Sequence, residues 1–231
     1  MNKEKIIVIL SGGLDSTTLT YYLHNKGYEV SCLSFDYGQK HKIELEKAKI
    51  TCEKLKLNHK VIDMTFMKDL LGDSSALTSD NIEVPTLEEV LGEAQPITYV
   101  PNRNAMMLMI ATSYAEAIGA NKVCFGAQAH DEYSGYFDTT LNFVEKINEV
   151  NKLNREKNIK IIAPFVELSK SEEVVLGNEL EIPYEDTITC YKGTNCGTCP
   201  TCKDRIKAFA VADTKDPLYP NLNWDELFVK F

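Results

Sequence analysis

The stretch from Lys5 to Ser16, Lys-Ile-Ile-Val-Ile-Leu-Ser-Gly-Gly-Leu-Asp-Ser, restricts this chain more than any other. Its short apolar run is rich in β-branched residues and reads as a buried strand. The run passes through a small polar Gly-Gly turn straight into a helical pattern over 17–26. Such a corner aims several backbone N–H groups at one concave spot. The positive end of the helix dipole adds to them, so the natural occupant is a phosphate. Ser11 and Ser16 can donate hydroxyls to it, and Asp15 can hold a divalent cation or orient the chain. A plain strand-to-helix turn would not call for two serines and an aspartate around its glycines. The Gly-Lys-Ser/Thr ending of the common phosphate loop is missing, which counts against transfer of a γ-phosphoryl group.

Beyond that corner the pattern alternates. Strand-like runs fall near 5–10, 29–35, 59–63, 121–126 and 159–163, and helical patterns near 17–26, 41–56, 102–118, 139–154 and 170–180. This alternation predicts an α/β fold, a Rossmann-like doubly wound parallel sheet with helices on both faces and ligands at the carboxyl ends of the strands. Met106 to Ala111 is almost continuously apolar, which predicts a deeply buried helix. The 231 residues suit a single domain over 1–231, with a small metal-binding segment at about 187–205. The stretch from Met64 to Pro101, broken by glycines, serines and prolines, reads as a long loop: a lid, a binding element or an oligomer contact. The tail after Asp213, with Pro217, Pro220 and Trp224, is expected to wrap the surface.

A formal net charge of −9 disfavours stable, non-specific binding to nucleic acid, although a local basic groove stays open. No apolar run reaches the length of a membrane span. Removing the N-terminus as a signal peptide would destroy the phosphate corner, so the expected location is cytoplasmic.

Of the seven cysteines, Cys32, Cys52 and Cys124 stand singly in apolar patterns and read as buried packing residues. Cys190, Cys196, Cys199 and Cys202 crowd together as C-x5-C-x2-C-x2-C, with Gly193, Gly197 and Pro200 between them. Thiolates three positions apart can grip one ion from a tight turn, and four sulfurs without a fifth ligand describe a closed structural zinc site. An iron–sulfur cluster is the rival reading. Ile206 stands where the fourth ferredoxin-type cysteine would fall.

Ser169-Lys170-Ser171-Glu172 opens a helix as a capping box. Lys170 then sits where the helix dipole disfavours a cation, which hints at a facing anion; a solvated lysine is the plain alternative. Asn102 is a candidate N-cap, and Arg103 begins an otherwise apolar helix, so it either snorkels out or meets a phosphate or carboxylate. Residues 126–138 follow a strand and carry acids and tyrosines that can read a purine-like edge, or they form an ordinary polar loop. The run from Phe35 to His41 ends the second strand near nucleotide or metal. His24 and His59 carry no assigned role.

The order Ser11-Gly-Gly-Leu-Asp-Ser16 resembles the loop of the ATP pyrophosphatases, which grip the pyrophosphate end of ATP while an acceptor oxygen attacks the α-phosphorus. Over nearly its whole length the chain resembles the 7-cyano-7-deazaguanine synthase family. The carriers are Ser11 to Thr18, Ser34-Phe-Asp-Tyr-Gly-Gln39, Ala76-Leu-Thr78, Tyr99-Val-Pro-Asn-Arg-Asn104, Leu168-Ser-Lys170, Thr189-Cys-Tyr191 and Cys196-Gly-Thr-Cys199-Pro-Thr-Cys202. The resemblance implies an ATP-dependent ligase that turns a 7-carboxy-7-deazaguanine and ammonia into the nitrile, on the path to queuosine. It implies magnesium with the ATP and one structural zinc on Cys190, Cys196, Cys199 and Cys202. It also implies ATP binding by Leu10, Ser11, Gly12, Gly13, Leu14, Asp15, Ser16 and Thr17. Asp15, Ser16, Lys170 and Arg103 become the catalytic candidates, and Arg103, Asn104, Tyr136 and Asp138 the substrate-binding ones. Similar proteins are often homodimers. Asn2 follows Met1, so no N-terminal cysteine is available to cleave glutamine, and free ammonium is the expected nitrogen source.

One departure stands out. After Gly135-Tyr136 the family usually shows Pro-Asp-Cys-Arg, a polar or acidic stretch and Phe. This chain has Phe137-Asp138-Thr139-Thr140-Leu141-Asn142-Phe143 and lacks the arginine and proline. An enzyme that stops at the amide, or that joins the acid to another amine, therefore stays open. So do a sulfur-inserting transfer-RNA modifier and a nucleotide sensor without turnover.

Overall fold

The computed structural model describes residues 3–93, 95–128, 136–153 and 158–231. In chain order the principal elements are β1 (Lys5–Ile9), α1 (Leu14–Asn25), β2 (Glu29–Asp36), α2 (Ile43–Leu55), β3 (Asn58–Asp63), α3 (Phe66–Leu71), α4 (Leu87–Val90), α5 (Arg103–Ile118), β4 (Lys122–Phe125), α6 (Leu141–Asn151), β5 (Lys160–Ile162), α7 (Lys170–Glu179), α8 (Pro200–Val211) and α9 (Trp224–Lys230). All strand pairs are parallel, in the order β3-β2-β1-β4-β5. The chain first winds outward through β2 and β3, then crosses to the other side of β1. The crevice at the carboxyl ends of β1 and β4 is therefore the topological switch point, where a sheet of this kind binds its ligand.

Alternation along the strands splits the core into two layers. Ile7, Leu33, Val123 and Ile161 face α5 and α6, meeting Met107, Leu108, Ala111, Ala115 and Val144. Ile6, Val8, Val30, Cys32 and Cys124 face the other way, against Leu19 and Leu23 of α1 and Ala48 and Cys52 of α2. The three single cysteines are fully buried packing residues. A third core ties α7, α8 and α9 to the cysteine-rich segment around Phe209, Tyr184 and Trp224.

The strands and long helices fall within a few residues of their expected places. Helix α1 starts at Leu14 rather than residue 17, so the phosphate corner abuts the helix itself. Helix α5 buries one face rather than its whole apolar run: Met107, Leu108 and Ala111 are buried, while Met106, Met109 and Ile110 are half-buried. Within 64–101 lie α3, α4 and a buried knot from Ser75 to Ser79, so part of this stretch is built into the body while Phe66, Leu70 and Leu91 stay exposed. The tail does more than wrap: α9 seals Trp224 into the third core, its indole Nε1–H donating to the Tyr219 carbonyl at 3.0 Å. Among the described residues no helix is long and apolar enough to cross a membrane.

Candidate active site

The turn after β1 is shaped by Gly12, whose φ of +83° suits glycine alone. A Cβ there would stand 2.2 Å from the Glu44 carbonyl oxygen, so α2 closes directly over the turn. On the other flank Gly126, at the end of β4, lets that strand approach the first turn of α1; a Cβ would lie 3.1 Å from the Ser16 nitrogen. Inside the turn the two serines are joined, Oγ to Oγ, at 3.0 Å. The Ser11 N–H donates to Ser16 Oγ at 3.1 Å, and the Gly13 N–H donates to Ser11 Oγ at 3.2 Å. Both hydroxyls therefore stand at the helix N-terminus, where an anion is stabilised.

Lys170, at the start of α7, reaches across the crevice. Its Nζ donates to Asp15 Oδ1 and Oδ2 at 3.0 and 2.9 Å and lies 3.6 Å from Asp204 Oδ2. The capping box that positions it is formed as the sequence predicts, with Ser169 Oγ accepting from the Glu172 N–H and the Glu172 carboxylate accepting from the Ser169 N–H. One turn further along α7, Glu173 is fully buried against Asp15 and Gln128. Burial, and then the Asp15 charge, hold its carboxyl well above the usual range and favour the protonated form.

From this corner a cavity of about 280 Å³ extends toward α5. Leu10, Ser11, Gly13, Leu14, Asp15 and Ser16 line one end, and Arg103, Asn104, Tyr136 and Tyr37 line the other. The Arg103 guanidinium lies over the Tyr37 ring, 5.3 Å from its centroid, and donates to the Tyr37 hydroxyl at 3.3 Å and to Asn104 Oδ1 at 3.3 Å. Burial pushes the Tyr37 hydroxyl up to about 12, so it stays a donor. Tyr136 shares a 2.5 Å hydrogen bond with Thr98 and stands 3.4 Å from the Tyr191 hydroxyl. Burial raises the Asp138 carboxyl, against the pull of Arg103.

The sequence-predicted residues therefore converge, with refinements. Gly12 and Thr17 lie behind the cavity wall; Thr17 is buried, its N–H donating to the Gly13 carbonyl at 3.1 Å. Asp138 faces Arg103 from outside the lining, while Thr139 lines it. Asn102 does cap α5, though in a left-handed conformation (φ 54°) and without a side-chain cap bond. Of the run 126–138, residues 129–135 lie outside the described residues. His24 is exposed; His59 shares a 2.8 Å contact with Ser34. Glu44, Asp204, Glu173 and Gln128 were not singled out from sequence. The one available signal was helical spacing, which places Glu173 on the Lys170 face.

Beside the cavity the four clustered cysteines bring their sulfurs within 4.8 Å of one another. Cys199 and Cys202 sulfurs lie 3.4 Å apart, and those of Cys196 and Cys202 3.9 Å. One tetrahedral ion with bonds of about 2.3 Å holds its sulfurs about 3.8 Å apart, so the set fits a single metal ion. Backbone N–H groups of Lys192, Cys196 and Cys199 already point at Cys190 and Cys196 sulfurs at 3.3–3.4 Å, as thiolate ligands require. This segment forms part of the cavity wall: the Ile188 N–H donates to the Gly12 carbonyl at 2.9 Å, and Thr189, Cys190, Tyr191 and Thr201 line the space. Arg205, wholly buried, fastens it by pairing with Asp216 at 2.5 Å and donating to Thr187 and Thr189 at 2.7 and 3.2 Å.

A family model described as "Queuosine biosynthesis protein QueC" matches residues 5–213. The chain belongs to the QueC family. A 7-cyano-7-deazaguanine synthase from Caldicellulosiruptor saccharolyticus is 42% identical over 226 residues, covering 96% of this chain and 99% of the relative. One from Clostridium kluyveri is 43% identical over 223 residues, covering 93% and 97%. Among solved structures, NMN synthetase from Francisella tularensis superposes with a TM-score of 0.51 at 19% identity, over 80% of this chain and 64% of that one, a likeness of fold.

Proposed function

We propose that this protein is an ATP-dependent ligase that converts 7-carboxy-7-deazaguanine and ammonia into 7-cyano-7-deazaguanine for queuosine biosynthesis. The observation that carries the reading is one cavity with two unlike ends. A two-serine cradle with Lys170 at the first suits a diphosphate, and Arg103 among tyrosines at the second suits a flat, acidic heterocycle.

A carboxylate is a poor electrophile, so one of its oxygens must become part of a leaving group. In the proposed sequence that oxygen attacks the α-phosphorus of ATP and diphosphate departs. Ammonia then adds to the acyl carbon, AMP leaves with the oxygen, and a proton is released to give the amide. A second ATP adenylates the amide oxygen, and loss of AMP with the nitrogen protons leaves the nitrile. Lys170, released from Asp15 and Asp204 onto the departing diphosphate, and the Ser11 and Ser16 hydroxyls stabilise the charge that builds there. Arg103 holds the carboxylate in line. Asp15 would be the carboxylate available to hold the magnesium of an ATP complex, which would supply charge neutralisation at the phosphates.

We assign zinc to the cysteine cluster, in a structural role, since all four sulfurs are protein ligands and the cluster braces the cavity wall. A single domain acting as a homodimer in the cytoplasm completes the proposal, on the resemblance to similar proteins. Incubating the protein with the 7-carboxy compound, ammonium, magnesium and ATP tests it. Nitrile and AMP are expected. Amide alone would mean an enzyme that stops halfway, and ADP would contradict adenylation. Elemental analysis should find zinc, and iron with visible absorption would overturn that assignment.

A further inference from the structure

Among the described residues lining the cavity three are acids: Asp15, Glu44 and Asp204. Asp15 and Asp204 flank Lys170 at the phosphate end. Glu44 stands apart from them. It opens α2 beside the Gly12 turn, and its side chain turns to the other end of the space, where its Oε1 accepts from Gln39 Nε2 at 2.7 Å. Gln39 is itself locked, its Oε1 accepting from the Tyr37 N–H at 2.8 Å and its Nε2 also donating to the Phe35 carbonyl at 3.1 Å. The carboxylate is thus fixed from one side by a rigid amide, under the field of Arg103.

Two different heterocycles must be told apart in this cavity. Adenine offers one donor and one acceptor along its pairing edge, and a carboxylate repels the acceptor nitrogen. A 2-amino-4-oxopyrimidine ring offers two adjacent donors, the ring N–H between the amino and oxo carbons and the exocyclic amine, which match the two oxygens of a carboxylate. We propose that Glu44 reads this guanine-like edge of the deazapurine while Arg103 holds the carboxylate at its far side, so that the pair sets both the identity and the direction of the acid. The inference rests on the proposed reaction. It makes Glu44 a specificity-determining residue, with Gln39 as the group that positions it.

The test is calorimetric binding to the full-length protein of 7-carboxy-7-deazaguanine and of its analogue lacking the 2-amino group. Wild type should bind the parent at least tenfold more tightly than the analogue. Glu44→Gln, which keeps the shape but presents a donor where an acceptor is needed, should weaken the parent by at least tenfold and bind the two compounds alike. Its ATP affinity should stay near wild type, and so should its melting temperature below about pH 7. Parent and analogue binding equally to wild type, or Glu44→Gln still favouring the parent, would overturn the assignment and leave the proposed function standing. Wild type failing to bind the parent at all would remove the proposed function together with it.

Discussion

The two ends of the cavity are built on opposite plans. The end proposed for the phosphates is walled mainly by one run, Leu10 to Ser16, held by β1 behind and α1 ahead, with Lys170 and Asp204 added from α7 and α8. The base end is gathered from distant parts: Tyr37 and Glu44 from either side of the β2–α2 turn, Arg103 and Asn104 from α5, Tyr136 before α6, and Tyr191 from the cysteine-rich segment. A contiguous corner can be fixed by backbone angles and a helix dipole, and it fits a ligand part that is the same in every ATP. A distributed end depends on long-range packing, and each contributing segment can change separately. Under the proposed function, shared chemistry sits on the local structure and substrate choice on the assembled one.

The largest effect should come from the local end. Gly12→Ala forces a left-handed Ala and drives a methyl group into the Glu44 carbonyl oxygen. ATP binding should be lost in calorimetry; near-normal affinity would mean the corner is not the cradle. Next, Asp15→Ala removes the acid that orients Lys170. We expect kcat to fall by about 10²–10³ while zinc content is unchanged, and unaltered turnover would count against the catalytic set.

At the assembled end the effects should be smaller and confined to the deazapurine. Arg103→Lys loses the forked donor and its stacking on Tyr37. The KM for the acid should rise roughly tenfold, by the measure of one good charge-assisted contact, with the KM for ATP nearly unmoved. Equal rises in both would erase the distinction between the ends.

The smallest effect is a pH dependence. Burial raises the Glu44 carboxyl to about 7, against the lowering influence of Gln39 and then Arg103, and Asp36 adds to the rise. The folded protein thus keeps this proton to higher pH than the unfolded chain does. Its contribution to stability is present in full below the unfolded value, about 4.3, and is lost as pH rises through about 7. Deazapurine binding should run the other way, strengthening as the carboxylate forms. Glu44→Gln should flatten both trends in thermal melts and calorimetry; an identical pH profile would remove Glu44 from the account.

This contrast also explains what could be read from the chain before its structure. Ser11 to Ser16 declared themselves because glycines, hydroxyls and an acid stood side by side where a strand meets a helix. The cysteine spacing declared a metal site for the same local reason. Glu44 and Asp204 were hidden because their importance comes from topology. Glu44 matters through the return of α2 over Gly12, and Asp204 through helix α8, which the cysteine cluster launches with Pro200 in its first turn. Glu173 looked like an ordinary acid in the first turn of a helix, and only the packing of α7 against α1 buries it. Helix α9 was obscured by the prolines before it, and its burial of Trp224 against α8 outweighs that local signal.

The most direct measurement follows oxygen from the acid. With 7-carboxy-7-deazaguanine labelled in both carboxyl oxygens by ¹⁸O, a diphosphate cradle beside an adenylated acceptor delivers one labelled oxygen into the phosphate of each AMP formed, with unlabelled pyrophosphate. Label recovered in orthophosphate, with ADP as its partner, would place the attack at the γ-phosphorus and contradict the role given to this corner.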